Sequence, residues 1–384
     1  MGFTFSQEYK ERLQLFKDCM NMKKPARIPL YSNFYSWKIF DSDKKYKFSE
    51  CLLDYGKMEE VVREFHERYH FDTYQELGTR VMYKPFEVLG SRFMVVDDEA
   101  ESIQYTEHSP MNADEYPDFG HRRRELYYRM FLRRFSGLTY GKMAEAIKLY
   151  LEYGQFVKHM NQVFTEEYSS PSICNLENTA GTLFSPFDMF FQFYRGVAGA
   201  SLDMRKRKGE MMEALETFYQ DDLVPRLEAN LAADNSNYVC DVRIGLLGHS
   251  VLSTKQFDEF YWPYLEKMIN RIVEAGKTVC ISAQDHITRF AEHFQDIPKG
   301  HAIIQFEMDD PFELRKLLPN ACLAGGMKAS MLGHGTPQEN VDYVKKLIDG
   351  MGDGFILCQD KFIAYRNDCN RENLLAVCDY VHSL

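Results

Sequence analysis

Short apolar runs alternate with longer amphipathic segments along most of the chain. The runs have the length and the β-branched and aromatic content of buried strands, and they lie at residues 28–34, 71–77, 172–178, 239–244, 279–282, 302–307, 321–326 and 355–358. Apolar residues recur at helical spacing in other segments, among them 5–20, 58–69, 255–275, 286–296, 310–318 and 337–350. Eight strands that alternate with helices predict an α/β fold, namely a single (β/α)8 TIM barrel over residues 1–384.

One stretch interrupts this alternation. Residues 86–111 combine alternating apolar positions with a Leu89-Gly90-Ser91 turn, which predicts a β-hairpin inserted after the second strand. A mostly helical part follows, so the whole insertion is expected to occupy about residues 86–165. Its role as a lid or as a partner surface is open at this point.

The segment from 278 to 310 is the clearest strand–helix–strand unit, and both of its strands end in titratable side chains. Asp285 and His286 follow the first strand, and Glu307, Asp309 and Asp310 follow the second. Active sites of parallel α/β folds collect at the carboxyl ends of strands, so we look for chemistry here. Helix capping is the simpler interpretation for Asp285, Asp309 and Asp310, because each directly precedes a predicted helix.

The other strand ends supply further candidates. A histidine at a strand end can bind a metal or move a proton near neutral pH, and a lysine there can pair with Glu307 or bind an anion. We therefore predict catalytic roles for His286, Glu307, Lys328 and Asp285. We predict substrate contacts for Asn33, Tyr35, Asn178, Arg243, His249 and Lys361.

Composition narrows the class of protein. The nine cysteines are scattered without a C-x-x-C pair and no signal peptide is evident, which predicts a reduced, cytoplasmic protein. No apolar run is long enough to span a membrane. The formal net charge of −11 argues against general nucleic-acid binding. Aromatic residues make up 14% of the chain, enough to line a pocket for a flat apolar substrate as well as the core.

Several motifs together resemble the uroporphyrinogen decarboxylase superfamily, in the branch that includes corrinoid-linked methyltransferases and O-demethylase components. The motifs are KPARIP at 24–29, SPFDMFFQFYRGVAGASLDM at 185–204, FYWPYLEKMINRIVEAGK at 260–277, IPKG at 297–300, LGHGTP at 332–337 and GFIL at 354–357. The resemblance implies a (β/α)8 barrel, in agreement with the strand count. It does not imply uroporphyrinogen decarboxylation, because the paired arginines of those enzymes are missing after Arg27.

The zinc motifs known in this superfamily are both altered here. Thiol-directed members of the superfamily carry a His-x-Cys pattern, and the corresponding residues of this chain are Cys280-Ile281-Ser282. Ether-demethylating members resemble a Glu-x14-Glu-x20-His pattern, in which Glu292 and Glu307 are kept but Lys328 stands in the third position. A zinc site built from His286, Glu307, Cys280 and Cys358 remains an open alternative.

The resemblance implies a methyltransferase of anaerobic O-demethylation. It would move a methyl group from a small methoxylated, aromatic substrate to the cobalt of a partner corrinoid protein, because the chain has no D-x-H-x-x-G cobalt-ligand motif of its own. One alternative is a metal-independent lyase or decarboxylase that anchors a small carboxylate through Arg27, Arg243 or Lys328. Another is a non-catalytic ligand-binding barrel. Barrels of this size are often dimers, so a homodimer is the expected assembly.

Overall fold

The computed structural model describes residues 4–74, 82–175 and 181–384. Eight strands of this part form one parallel sheet in the order β2-β1-β10-β9-β8-β7-β6-β5, and β3 and β4 form an antiparallel pair. The strands are β1 Leu30–Ser32, β2 Thr73–Tyr74, β3 Met94–Asp97, β4 Ser102–Tyr105, β5 Leu183–Phe184, β6 Val242–Leu246, β7 Val279–Ala283, β8 Ala302–Gln305, β9 Cys322–Met327 and β10 Phe355–Gln359.

The sheet closes into a barrel through residues 172–174. Tyr74, at the end of β2, forms a parallel bridge with Ser172. On the other side, the amide of Cys240 donates to the carbonyl of Ile173 at 2.7 Å, just before β6. These residues and β5 therefore complete the barrel between β2 and β6, and the predicted (β/α)8 fold is confirmed.

Helices surround the barrel and fill the insertion. They are α1 Gln7–Met20, α2 Trp37–Asp41, α3 Phe48–Leu53, α4 Tyr55–Tyr69, α5 Tyr83–Val88, α6 Tyr116–His121, α7 Arg123–Arg134, α8 Tyr140–Gln162, α9 Pro186–Asp188, α10 Gly196–Lys206, α11 Lys208–Phe218, α12 Val224–Ala232, α13 Thr254–Gln256, α14 Trp262–Glu274, α15 Pro311–Leu317, α16 Ala329–His334, α17 Pro337–Met351 and α18 Arg371–His382. Within the described residues, none of these helices is long and apolar enough to cross a membrane.

Two local predictions need correction. The hairpin after the second strand exists as β3 and β4, but its turn lies between Asp97 and Ser102. There the Asp97 carboxylate accepts the backbone amides of Glu99 and Ala100. Gly90 instead follows the end of α5, with a left-handed φ of 68°. The connection after β7 is a 3-10 helix, Thr288–Phe294, where an amphipathic α-helix was expected over 286–296.

The barrel interior holds a small apolar core of its own. Inward-facing strand residues such as Tyr31, Cys280 and Ile303 pack there with Phe16 of α1. The thiol of Cys19, also in α1, donates to the carbonyl of Phe355 at the start of β10. Helix α1 therefore covers the amino-terminal end of the barrel, and the carboxyl ends of the strands form its mouth.

Candidate functional site

A layer of polar side chains crosses the barrel interior above this apolar core. Arg243 lies between Val242 and Ile244, which belong to the outer core, so strand alternation turns its side chain inward. Its Nε donates to Ser282 Oγ at 3.2 Å, and the Ser282 hydroxyl donates to Gln305 Oε1 at 2.7 Å. The three residues come from neighbouring strands, which parallel pairing holds in register.

Aromatic residues from the first and last strands line the same interior. The Tyr31 hydroxyl lies 3.5 Å from Gln305 Oε1. Tyr35 is buried and packs edge-on against Phe362, with ring centres 4.5 Å apart. Tyr31 and Tyr35 both lie close enough to Arg243 to influence its pKa. The predicted contact residues Tyr35 and Arg243 therefore meet in one enclosed, partly aromatic space.

Asn33 stands between the two tyrosines on the same face of the chain and is fully buried. Its amide N–H donates to Gln359 Oε1 at 2.7 Å, and its carbonyl accepts from Ile363. Its side-chain oxygen and nitrogen have no hydrogen-bond partner in the described part of the chain. Buried amides are normally satisfied, so this side chain is available for a ligand.

Asp285, His286 and Glu307 come together at the rim, as their positions at neighbouring strand ends predicted. The amide of Asp285 donates to Glu307 Oε2 at 3.1 Å, and the amide of Met308 donates back to the Asp285 carbonyl at 3.2 Å. His286 is exposed and lies 3.7 Å from the carboxylates of Asp285 and Asp309. Glu307 is half-buried and lies two residues after the end of β8.

The three predicted caps have different outcomes. Asp310 caps α15 by accepting the amides of Phe312 and Glu313. Asp309 is buried and caps the preceding connection, where it accepts from Ile287 and Thr288. Asp285 is not a helix cap. It has a left-handed φ of 60°, which aspartate tolerates better than most residues, and it turns the chain at the rim.

The lysines of the last two strand ends lie outside the interior layer. Lys328 is exposed, with its ammonium 5.2 Å from the centre of the Tyr343 ring, and no ion pair joins it to Glu307 in the described residues. Lys361 pairs with Asp368 at 2.6 Å. Asp360 accepts the amide of Ala329 at 2.9 Å, and burial raises the pKa of its carboxyl group.

Arg27 does not reach the site, contrary to its suggested role as an anion anchor. It precedes β1 at the opposite end of the barrel, where both terminal nitrogens donate to the buried Asp72 carboxylate at 2.6 and 2.5 Å. Asp72 also accepts the amide of Leu30 at 2.8 Å. This ion pair fixes the start of β1 next to the start of β2.

His249, a predicted substrate contact, is fully buried in aromatic packing. Its ring centre lies 6.2 Å from those of Tyr261 and Phe290, and neither ring nitrogen has a partner in the described residues. Burial, together with the charge of Arg289, lowers the pKa of His249 to about 3. The neutral ring is therefore the form that the folded protein accommodates.

This burial predicts sensitivity to acid. His249 takes up a proton below about pH 6.5 in the unfolded chain but only near pH 3 in the folded one, so its contribution is full above pH 6.5 and is lost as the pH falls. Between pH 7 and 5 the free energy of unfolding should fall by about 2 kcal/mol from this group. Urea unfolding at both pH values should show a smaller decrease for His249→Phe than for the wild type. Equal decreases would contradict the assignment.

The sequence suggests zinc ligands at His286, Glu307, Cys280 and Cys358. Among the described residues, no three His, Cys, Asp or Glu side chains converge in a way that could hold a metal ion. Cys280 and Cys358 are fully buried, and burial raises the pKa of both thiols, so they are neutral. His286 lies apart from them on the exposed rim. Zinc binding therefore stays a prediction.

Asn178, which the sequence predicts as a substrate contact, lies outside the described residues.

Sequence reasoning missed two members of the interior layer, Tyr31 and Gln305. Both lie inside the strands predicted at 28–34 and 302–307, where apolar neighbours favour a place in the core. Each stands two residues before a predicted site residue, Asn33 or Glu307, and so shares its face. That period of two was the available signal.

The uroporphyrinogen decarboxylase (URO-D) family matches residues 178–383, more than half of the chain. The chain belongs to this family of enzymes, as the motif resemblance predicted. Among solved structures, the fold is similar to that of a methyltransferase from Methanosarcina mazei, with a TM-score of 0.64 and 14% identity. The alignment covers 100% of this chain and 99% of that one. No protein of curated function matches significantly.

Proposed function

We propose that this protein is a methyltransferase that takes the methyl group of a small aromatic methyl ether and passes it to the cobalt of a separate corrinoid protein. The observation that carries the proposal is the likeness to the Methanosarcina mazei methyltransferase, which extends over both chains from end to end. Membership of the URO-D family and the sequence motifs of its corrinoid-linked branch support it.

The chemistry requires an acid next to the ether oxygen. As the methyl carbon bonds to the electron pair of a reduced Co(I) centre, the carbon–oxygen bond breaks and its electrons stay on the oxygen. That oxygen must then receive a proton to leave as a phenol. A side chain that is shielded from water and faces the bound ring is best suited to supply it.

Glu307 fits this role better than the other predicted acids. It is half-buried and follows β8, two residues after Gln305, and its carboxyl group accepts the amide N–H of Asp285. His286 and Lys328 are exposed at the rim, where water competes as a proton donor. Asp285 contributes through its backbone.

The mouth offers a surface on which a corrinoid protein could dock. Three apolar side chains are exposed in loops that follow different strands: Val251 after β6, Met308 after β8 and Tyr365 after β10. All three loops lie at the carboxyl ends of the strands, the side from which a partner can reach the bound substrate. Docking there would bring the corrinoid above the bound methyl ether.

The test is a methyl-transfer assay with purified protein, a methoxylated aromatic compound and a corrinoid protein reduced to Co(I). We expect the Co(I) absorption to change to that of methylcobalt, with one phenol released per methyl group transferred. Omission of the corrinoid protein should stop the reaction. Release of carbon dioxide without corrinoid would instead favour the lyase, which the position of Arg243 also permits. Turnover in neither assay would favour the binding barrel.

A further inference from the structure

We propose that Arg243 anchors a carboxylate of the substrate, so that the methyl donor is a methoxylated aromatic carboxylate. The part of this inference that concerns the methoxy group rests on the proposed function. The carboxylate subsite stands on its own observations. In this arrangement the substrate's carboxylate lies in the polar layer and its aromatic ring lies beside Tyr35.

The first observation is a guanidinium inside the barrel without a counter-ion. No carboxylate in the described residues forms an ion pair with Arg243, and its one hydrogen bond there goes to the neutral Ser282 hydroxyl. Protein surrounds the side chain, yet part of it remains accessible. An enclosed charge without a partner is costly, and a bound anion would remove that cost.

Other enclosed arginines show how this chain normally compensates such a charge. Arg195 pairs with the buried Asp203 at 2.6 Å, and Arg27 pairs with Asp72. Arg315 has no carboxylate but donates to the carbonyls of Leu318, Ala321 and Gly354. Arg243 has neither form of compensation among the described residues.

The neighbouring contacts orient Arg243 for this role. Because the Ser282 hydroxyl donates its hydrogen to Gln305, its oxygen is left to accept Nε of Arg243. Nε is thereby occupied, and the two terminal nitrogens remain for a ligand. Two parallel N–H donors match the two oxygens of a carboxylate.

The second observation is the side-chain amide of Asn33, buried and without a partner in the described residues. It shares the inward face with Tyr31 and Tyr35, which both lie close to Arg243. Its Nδ2 can donate to a carboxylate oxygen, and its Oδ1 can accept from a ring hydroxyl. The edge-on pair of Tyr35 and Phe362 supplies an apolar wall for the ring.

Binding can be tested without any corrinoid protein. Calorimetry with benzoate and with benzamide, its neutral counterpart, should show clear binding of benzoate and much weaker binding of benzamide. Arg243→Gln should weaken benzoate binding by about 10–100-fold, and Arg243→Lys should weaken it less, because the charge is kept. Arg366→Gln, an exposed arginine paired with Glu101, is the matched control and should bind as the wild type does.

The outcomes separate this inference from the proposed function. Equal affinity for benzoate and benzamide, or unchanged benzoate binding in a folded Arg243→Gln, would overturn the subsite. Thermal unfolding shows whether each variant is folded, and Arg243→Lys serves if Arg243→Gln is not. Benzoate binding through Arg243 without methyl transfer from methoxybenzoates would keep the subsite and reject the methyltransferase. Equal methyl transfer from anisole and from methoxybenzoate would keep the methyltransferase and reject the carboxylate subsite.

An independent observation concerns the first half of α8, which carries an unpartnered apolar stripe. Its exposed large side chains are Tyr140, Met143, Ile147, Tyr150 and Leu151, of which Tyr140 is 91% and Ile147 62% exposed. They recur at three- and four-residue spacing and so share one face of the helix. We infer that this face pairs with the same face of a second copy of the chain.

The sequence of the stripe is complementary to itself. In an antiparallel pair of helices related by a two-fold axis at Ile147, Met143 meets Leu151 of the other copy. Large residues then meet small ones, with Tyr140 opposite Gly154 and Tyr150 opposite Ala144. Lys142 falls opposite Glu152, whose carboxylate pairs with Lys84 of its own chain at 2.6 Å, so no like charges face each other there. An unrelated partner would not require this symmetry.

Light scattering on the purified protein should show a dimer for the wild type at micromolar concentration. Ile147→Glu places two like charges at the two-fold axis, so we expect a monomer with an unchanged unfolding temperature; Leu151→Glu should act in the same way. Val95→Glu, at an exposed apolar position on the β3–β4 hairpin, should remain dimeric. A monomeric wild type, or a dimeric Ile147→Glu, would overturn the proposal. A monomeric wild type whose methyl transfer depends on Ile147 would assign the stripe to the corrinoid protein.

Discussion

Glu307→Gln is expected to lower the rate of methyl transfer by about 10²–10⁴-fold, the usual contribution of a general acid. The glutamine has nearly the same shape and can still accept the Asp285 amide, so the rim should keep its structure. It has no proton to give to the departing oxygen. Single-turnover rates with the Co(I) corrinoid protein measure this loss directly.

Glu292→Gln is the matched control. Glu292 is exposed on the connection that follows β7, and it occupies the first position of the Glu-x14-Glu spacing that ends at Glu307. If Glu307 is the acid, this variant should transfer methyl groups at the wild-type rate. A wild-type rate for Glu307→Gln, or an equal loss in both variants, would remove Glu307 from the mechanism.

Asp72→Asn is expected to lower the free energy of unfolding by about 3–5 kcal/mol. The side chain of Asp72 is fully buried, and the substitution leaves Arg27 without the charge that compensates it. Arg12, at 3.8 Å from the same carboxylate, also loses a partner. Because asparagine is nearly isosteric, the effect reports charge rather than packing. Urea unfolding at neutral pH measures it.

An exposed ion pair provides the comparison for Asp72. Glu313 and Lys316 pair at 2.6 Å on the surface of α15, and both side chains are mostly exposed. Glu313→Gln should change the free energy of unfolding by less than about 1 kcal/mol, because water screens such pairs. A similarly small effect for Asp72→Asn would show that Arg27 finds another partner or reaches solvent.

The barrel could be predicted because its strands are short apolar runs between amphipathic segments. The strand β5 could not, since its two residues are too few to show a period. The pairing of Arg27 with Asp72 depends on which strand starts meet in space, and no local pattern reveals it. For the same reason Arg27 was a plausible anion anchor in the sequence but not in the fold.

The sequence predicted the residues at the rim of the site but not all of those inside the barrel. Glu307 and His286 stand at strand ends, where polar residues are expected to carry function. Tyr31 and Gln305 stand within strands, where the same expectation assigns core packing. The left-handed φ of Asp285 also has no sequence signal, because aspartate is equally common at helix caps.

All nine cysteines are buried, and for several of them, including Cys240 and Cys322, burial raises the pKa well above that of a free thiol. Thiolate is the form that reacts with alkylating agents and oxidants, so the folded protein presents almost none of it. Modification must then wait until part of the barrel opens. The rate at which a thiol reagent modifies the folded protein therefore measures the rate of local opening, and each cysteine reports the opening of its own strand or helix.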